Sequence, residues 1–244
     1  MVRKVKAFSP YTPAHAQGRL EFGNNFRAVK AHLLQKLFMT QLTLTYFDVH
    51  GGRGEPIRLA LHLGGITFED KRFGFAEFAE VRKTTPLSQV PVLHVNGVQV
   101  TQSDAITRYA GKLAGLYPTD AFQALLCDEV MDGLEDVNEK MGATYGLTGD
   151  ALKDARTGLV NGALPKYLRW LNAQLQAHGG DYFADARLTI ADLKVFAFVR
   201  GLNSGHLDHV PTDLVAKTAP LLNAQVQRIA QLPAVVQYYA QFAA

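Results

Sequence analysis

Gln89 to Ser103, QVPVLHVNGVQVTQS, is the stretch whose reading decides the fold. Val92 to Val95 and Val98 to Val100 are short β-rich runs on either side of Asn96-Gly97. A type I′ turn needs φ > 0 at both central residues, which Asn-Gly supplies, so the spacing predicts two adjacent antiparallel strands. Ser103 then precedes Ala105, Ile106, Tyr109, Ala110 and Leu113, whose helical spacing makes Ser103 the predicted N-cap and the helix start an anion site. Val90-Pro91 sets a proline at the entrance to a strand, where its missing N–H costs the ladder nothing. X–Pro is also the peptide type that takes the cis form at appreciable frequency.

Working outward toward the N-terminus, Leu42 to Phe47 alternates as a strand. The glycine-rich turn from Asp48 to Glu55 follows, and a helix opens at Pro56, a favoured first-turn position. Ile57, Leu59, Leu61 and Leu63 supply its apolar positions and Gly64-Gly65 stops it. Thr67 to Phe73 reads as a second strand, so strand, helix and strand form a βαβ unit with a parallel pair. Gly74 to Thr85 is irregular or briefly helical. The order β-α-β, β-β-α is complete by Lys112.

Everything beyond is helical. Phe122, Leu126, Val130, Leu134, Val137, Met141 and Tyr145 recur at helical spacing on one long helix. A second helix is expected from an Asp150 cap through Leu175, kinked at Pro165. Thr189 to Asp192 reads as a capping box opening a helix from Ile190 to Gly201 that is buried on most sides. Two further helices, Thr218 to Leu232 and Ala234 to Phe242, are separated by Pro233. The fold class is α/β plus all-α: a basic extension at 1–38, a thioredoxin-like βαβ-ββα domain at 39–116 and an all-helical domain at 120–244.

Of 244 residues, 48% are hydrophobic and 19% charged, an ordinary globular balance with enough chain for two modest domains. Residues 1–38 hold seven Lys/Arg against one acid, which puts +6 there and leaves −3 on the rest of a chain whose total is +3. The body is slightly acidic, which gives no support for nucleic-acid binding. The single cysteine, Cys127, excludes a disulfide framework, a two-cysteine redox motif and a cysteine-rich zinc site. His206 and His209 lack a third ligand, so no metal is expected. No apolar run approaches a membrane span, and a cytoplasmic protein is expected. Phe26, Val29, Leu33 and Leu37 share a helical face beside Arg27, Lys30 and Lys36. Residues 1–38 are thus either an organelle transit segment or an incidental extension upstream of Met39, with a membrane-surface helix as a third option.

TYFDVHGGRGEPIRL, QVPVLHVNGVQVTQSDAITRYAGKL and the distant LTIADL, in this order and spacing, resemble a cytosolic glutathione S-transferase of the tyrosine type, closest to the sigma class. The resemblance covers about residues 41–244. It implies glutathione as cosubstrate, an apolar electrophile as partner and a homodimer. It also assigns roles: Tyr46 as hydrogen-bond donor to the glutathione thiolate, Arg53 as added positive potential, and Val90 with a cis Pro91 pairing the cysteinyl backbone. Gln102 and Ser103 hold the γ-glutamyl carboxylate, Gln89 is a further contact, and Phe78 and Arg82 stand at the glycyl carboxylate. Asp136 is the acid that reaches across the dimer to the γ-glutamyl amine, with Glu135 as its fallback. Phe47, Val49, Met141 and Tyr145 are expected around the apolar substrate. The chain departs from the pattern at Gly51-Gly52, which lengthens the tyrosine-to-arginine interval by one residue. It departs again at Gly142-Ala143, where prostaglandin-isomerising members carry an aromatic roof.

The chemistry behind those roles is simple. A free thiol with a pKa near 8.5 is only about 3% ionised at pH 7, so the nucleophile must be made by a donor that bonds the thiolate and not the thiol. Two other classes fit the same resemblance: a binding or structural relative that keeps the fold without turnover, and a glutathione-dependent peroxidase or isomerase.

Overall fold

The computed structural model describes residues 40–242; the expectation for residues 1–38 lies outside them. Strand β1 (Leu42–Phe47) leads through the glycine-rich turn into helix α1 (Glu55–Leu63), and strand β2 (Glu69–Phe73) returns parallel to β1. Pro56 occupies the first turn of α1, and Gly64 followed by Gly65 at φ 64° ends it, as glycines at a helix C-terminus do. Short 3₁₀ turns and helix α2 (Phe78–Val81) then lead to strands β3 (Val92–Val95) and β4 (Val98–Val100), joined by Asn96 at φ 50° and Gly97 at φ 83°. The sheet order is β2-β1-β3-β4, with β3 antiparallel to both neighbours. Sequential pairing of β1 with both β2 and β3 buries Leu42 and Leu44 against α1 and helix α3 (Ser103–Leu113).

Two predicted caps are corrected here. The N-cap of α3 is Gln102, at φ 73° and ψ 107°, and Ser103 is the first helical residue. No side chain caps that helix, so the N–H groups of its first turn stay open, as at any uncapped helix start. Ser103 instead lends its carbonyl to the Thr107 hydroxyl at 2.7 Å.

The helical half begins with α4 (Ala121–Gly142), whose N-cap Asp120 accepts from the N–H groups of Phe122 and Gln123, both at 3.0 Å. Val130, Leu134, Val137 and Met141 form its buried stripe, while Phe122 is exposed and Tyr145 lies past the helix end. The expected kinked helix is two helices, α5 (Gly149–Asn161) and α6 (Ala163–Ala177). The break is at Gly162, at φ −129° and ψ −91°. Pro165 falls in the first turn of α6, where no intrahelical N–H bond is required. The cap of α5 is Thr148, not Asp150.

Helix α7 (Ile190–Asn203) is the axle of this half: ten of its residues are buried, including Asp192 and Lys194. It packs against α1, α4 and two later helices, α8 (Leu214–Thr218) and α9 (Pro220–Ala230). The last helix, α10 (Pro233–Ala240), returns to pack on α1. Among the described residues no helix is long and apolar enough to cross a membrane.

Candidate functional site

The end of β1 places Tyr46 beneath the glycine-rich turn with 7% of its surface exposed. The turn needs its glycines. A Cβ on Gly52, which sits at φ 65°, would lie 2.4 Å from the Tyr46 hydroxyl, and one on Gly54 would lie 2.3 Å from Cδ1 of the ring. The backbone thereby closes over the phenol, and Arg53 N–H donates to its oxygen at 3.0 Å. Burial pushes the phenol above its ordinary value, and the Arg53 N–H and guanidinium only partly oppose this. Tyr46 therefore stays protonated at neutral pH. With the oxygen accepting from Arg53, its own proton remains to donate.

Arg53 extends from the same turn to the helical half, where its Nε donates to Glu135 at 2.5 Å. Arg53 also lines a small cleft between the turn, α4 and α7. Met141, Tyr145, Phe198, Leu202 and Leu207 make its apolar wall, and Arg53, Asn138 and Lys194 its polar one. Of the four residues expected around an apolar substrate, Met141 and Tyr145 stand on this wall. Phe47 and Val49 do not line it. Phe47 packs into an aromatic group with Phe73, Phe75 and Phe78 at centroid distances of 4.8, 4.9 and 5.0 Å. Val49 turns its carbonyl to Arg58 at 2.9 Å. Phe47 also meets the Tyr46 ring edge to face at a centroid distance of 5.4 Å, so its ring is spent on packing behind the tyrosine.

Along Gln89 to Ser103, the Val90-Pro91 bond is cis and leads directly into β3. Gln89 is exposed, and Gln102 is exposed immediately before the uncapped start of α3. The Arg82 guanidinium lies 5.5 Å over the Phe78 ring, which places those two residues together. Asp136 is exposed and accepts from the Tyr167 hydroxyl at 3.1 Å. It is Glu135, one residue earlier on α4, that reaches Arg53 within the chain.

Residues 42–112 match the model of the glutathione S-transferase N-terminal domain, and residues 135–241 that of the glutathione S-transferase C-terminal domain. Glutathione S-transferase 3 of Caenorhabditis elegans is 31% identical over 184 residues, covering 73% of this chain and 88% of that protein. The chain belongs to the glutathione S-transferase family. Human glutathione S-transferase A3 is likewise 31% identical over 199 residues, covering 80% of this chain and 86% of that protein. Among solved structures, prostaglandin synthase D of Nilaparvata lugens superposes with a TM-score of 0.73 at 29% identity, covering 82% of this chain and 97% of that one. The chain is thus a glutathione S-transferase, an enzyme whose cosubstrate is glutathione, in a family that commonly dimerises.

Three polar side chains carried no assignment from sequence: Asn138 and Lys194, which line the cleft, and Asp104, which Lys194 holds. Lys194 left a signal, since a lysine inside the otherwise apolar IADLKVFAF of a buried helix needs partners. Cys127 is not a competing nucleophile. Burial pushes its thiol up to about 11, against weaker help from the Ala191 backbone and Thr189. Among the described residues no group of three or more His, Cys, Asp or Glu is placed to hold a metal ion.

Proposed function

We propose that this transferase is of the tyrosine type and sigma-like, and that Tyr46 stabilises the thiolate of bound glutathione for attack on an electrophilic carbon of an apolar substrate. The observation that carries this is the Tyr46 hydroxyl, which accepts from Arg53 N–H at 3.0 Å and keeps its own proton for a third party. Glutathione lies along Gln89 to Ser103. Val90 pairs its cysteinyl backbone, the open N–H groups of α3 with Gln102 and Ser103 hold the γ-glutamyl carboxylate, and Gln89 adds a polar contact. Arg82 takes the glycyl carboxylate, with Phe78 packing beside it, since phenylalanine donates no hydrogen bond. In a homodimer, exposed Asp136 meets the γ-glutamyl amine of the other subunit's glutathione. The electrophile enters the cleft along Met141 and Tyr145.

A depression of the thiol pKa by about 2 units corresponds to roughly 2.7 kcal/mol and leaves most of the bound glutathione ionised at pH 7. No covalent enzyme intermediate is needed: the sulfur attacks, the leaving group departs, and the thiol proton has already gone to solvent. Conjugation of glutathione to an aryl halide tests this. Tyr46→Phe is expected to lower kcat about ten-fold or more, on the order of 1.4 kcal/mol in the barrier, while retention on immobilised glutathione persists. Equal rates in the two proteins would remove Tyr46 from the mechanism.

A further inference from the structure

Lys194 lines the cleft yet has nothing left to offer a substrate. Its buried ammonium donates to the Asp104 carboxylate, to Glu135 at 2.9 Å and to the Met131 carbonyl at 3.0 Å. An ammonium has three donors, and all three are spent. Each carboxylate it holds leads to one end of the glutathione site. Asp104 follows Ser103 in the open first turn of α3. Glu135 presents its other oxygen to Arg53 Nε at 2.5 Å, and the Arg53 backbone N–H is bonded to Tyr46. A continuous path thus runs from the γ-glutamyl end to the thiol end, through α3, α7, α4 and the turn after β1.

We propose that Lys194 is a positioning residue for conjugation: its ammonium neutralises and fixes Asp104 and Glu135, so that the start of α3 accepts an anion and Arg53 stays beside the sulfur. This rests on the glutathione reading of the site. Two cations and two carboxylates balance in the network. Burial pushes Asp104 above its ordinary value, with Lys194 pulling it back. Burial also acts to raise Glu135, but Lys194 and then Arg53 outweigh it and hold that carboxyl below its ordinary value. The other charges nearby are committed elsewhere. Arg108 on α3 is paired with Asp128 and Asp132, and Arg58 stands behind the Tyr46 ring at 5.6 Å. Tyr145 and Arg53 complete the titratable groups acting on Tyr46.

Without the ammonium, Asp104 would carry an uncompensated charge beside the γ-glutamyl carboxylate, and Glu135 would cancel the field of Arg53 at the thiol. Lys194→Met is therefore expected to raise the glutathione KM about five-fold or more and to move the acid limb of the kcat/KM profile up by about half a pH unit or more. The two effects separate in double variants. Lys194→Met with Asp104→Asn regains most of the KM, and Lys194→Met with Glu135→Gln regains the pH midpoint; a lysine that merely supports packing gives neither rescue. Glu135→Gln alone leaves Lys194 paired with Asp104 and is expected to shift the midpoint downward, the opposite sign, with KM within about two-fold. That arm decides the matter if Lys194→Met does not fold. The probes are glutathione and an aryl halide. A wild type that conjugates while both single variants keep its KM and midpoint overturns this assignment alone. A wild type that conjugates nothing overturns the glutathione reading as well.

Discussion

Tyr46, the proposed donor to the thiolate, is held by what its neighbours lack. Gly54 has no room for a Cβ, because that atom would meet Cδ1 and Cγ of Tyr46 at 2.3 and 2.5 Å, well inside van der Waals contact with a ring fixed in the core. Gly54→Ala is accordingly expected to displace the ring and break the bond from Arg53 N–H to its oxygen. In conjugation assays kcat should fall about ten-fold or more, comparable to Tyr46→Phe, since either change removes the same donor. Gly51→Ala is the control: nothing lies within 4 Å of its Cβ, and its rate should stay near wild type. At this scale the motif put Tyr46 at the end of β1 and Arg53 in the glycine-rich turn after it, and both stand there. That Arg53 acts on Tyr46 through its backbone and on Glu135 through its side chain was not legible, because a side chain's reach over a glycine turn depends on backbone angles that the motif does not encode.

Elements follow the same division between local and long-range information. The Asn96-Gly97 hairpin and the Thr189–Asp192 box form where they are read, since each is specified by contacts within a few residues. Pro165 was misplaced because the stronger break, Gly162, carries no distinctive neighbour in sequence. The Asp192 box also does more than cap. Its Oδ2 accepts from the N–H and hydroxyl of Thr189, both at 2.8 Å, and its Oδ1 from Phe183 N–H at 3.1 Å and Gln225 Nε2 at 2.7 Å. Asp192→Asn turns an amide N–H₂ toward two of those donors and is expected to cost about 2–3 kcal/mol at pH 7 in urea unfolding. Burial nevertheless pushes this carboxyl up to about 6, above the roughly 3.9 of an unfolded aspartate. The folded state therefore binds the extra proton. The stabilising contribution of that proton is fully present below about pH 4 and is lost as pH rises through about 6. The stability gap between wild type and Asp192→Asn should thus be wider at pH 5 than at pH 7; a gap that narrows on acidification would show that the four donors, not burial, control the group.

At the scale of the whole molecule, the last helix packs on the first among the described residues. Helix α10 brings Tyr238 to His62 of α1 at 5.3 Å and Tyr239 beneath the Arg200 guanidinium at 4.0 Å. Phe242 meets His50 at 4.4 Å and Arg72 at 4.6 Å. Arg200 also donates to the His50 carbonyl at 3.1 Å, two residues before the Gly52 that covers Tyr46. These contacts roof Glu55 and Arg58, which are both fully buried and 3.6 Å apart. Burial pushes the Glu55 carboxyl up, with Tyr239 and Arg58 acting against it. The arrangement makes α10 a structural wall of the turn over Tyr46 as well as a packing element. Tyr238→Ala, which deletes a ring only 4% exposed, is expected to cost about 3–5 kcal/mol. For a chain of this size that amounts to a fall of roughly 6–20 °C in the melting midpoint. If the wall supports the turn, kcat at a temperature where the variant is still folded should also fall, by about two-fold or more, with glutathione retention intact. A variant that melts early but turns over at the wild-type rate below its transition would confine α10 to stability, and the His50–Arg200 bond would then suffice to hold the turn over Tyr46.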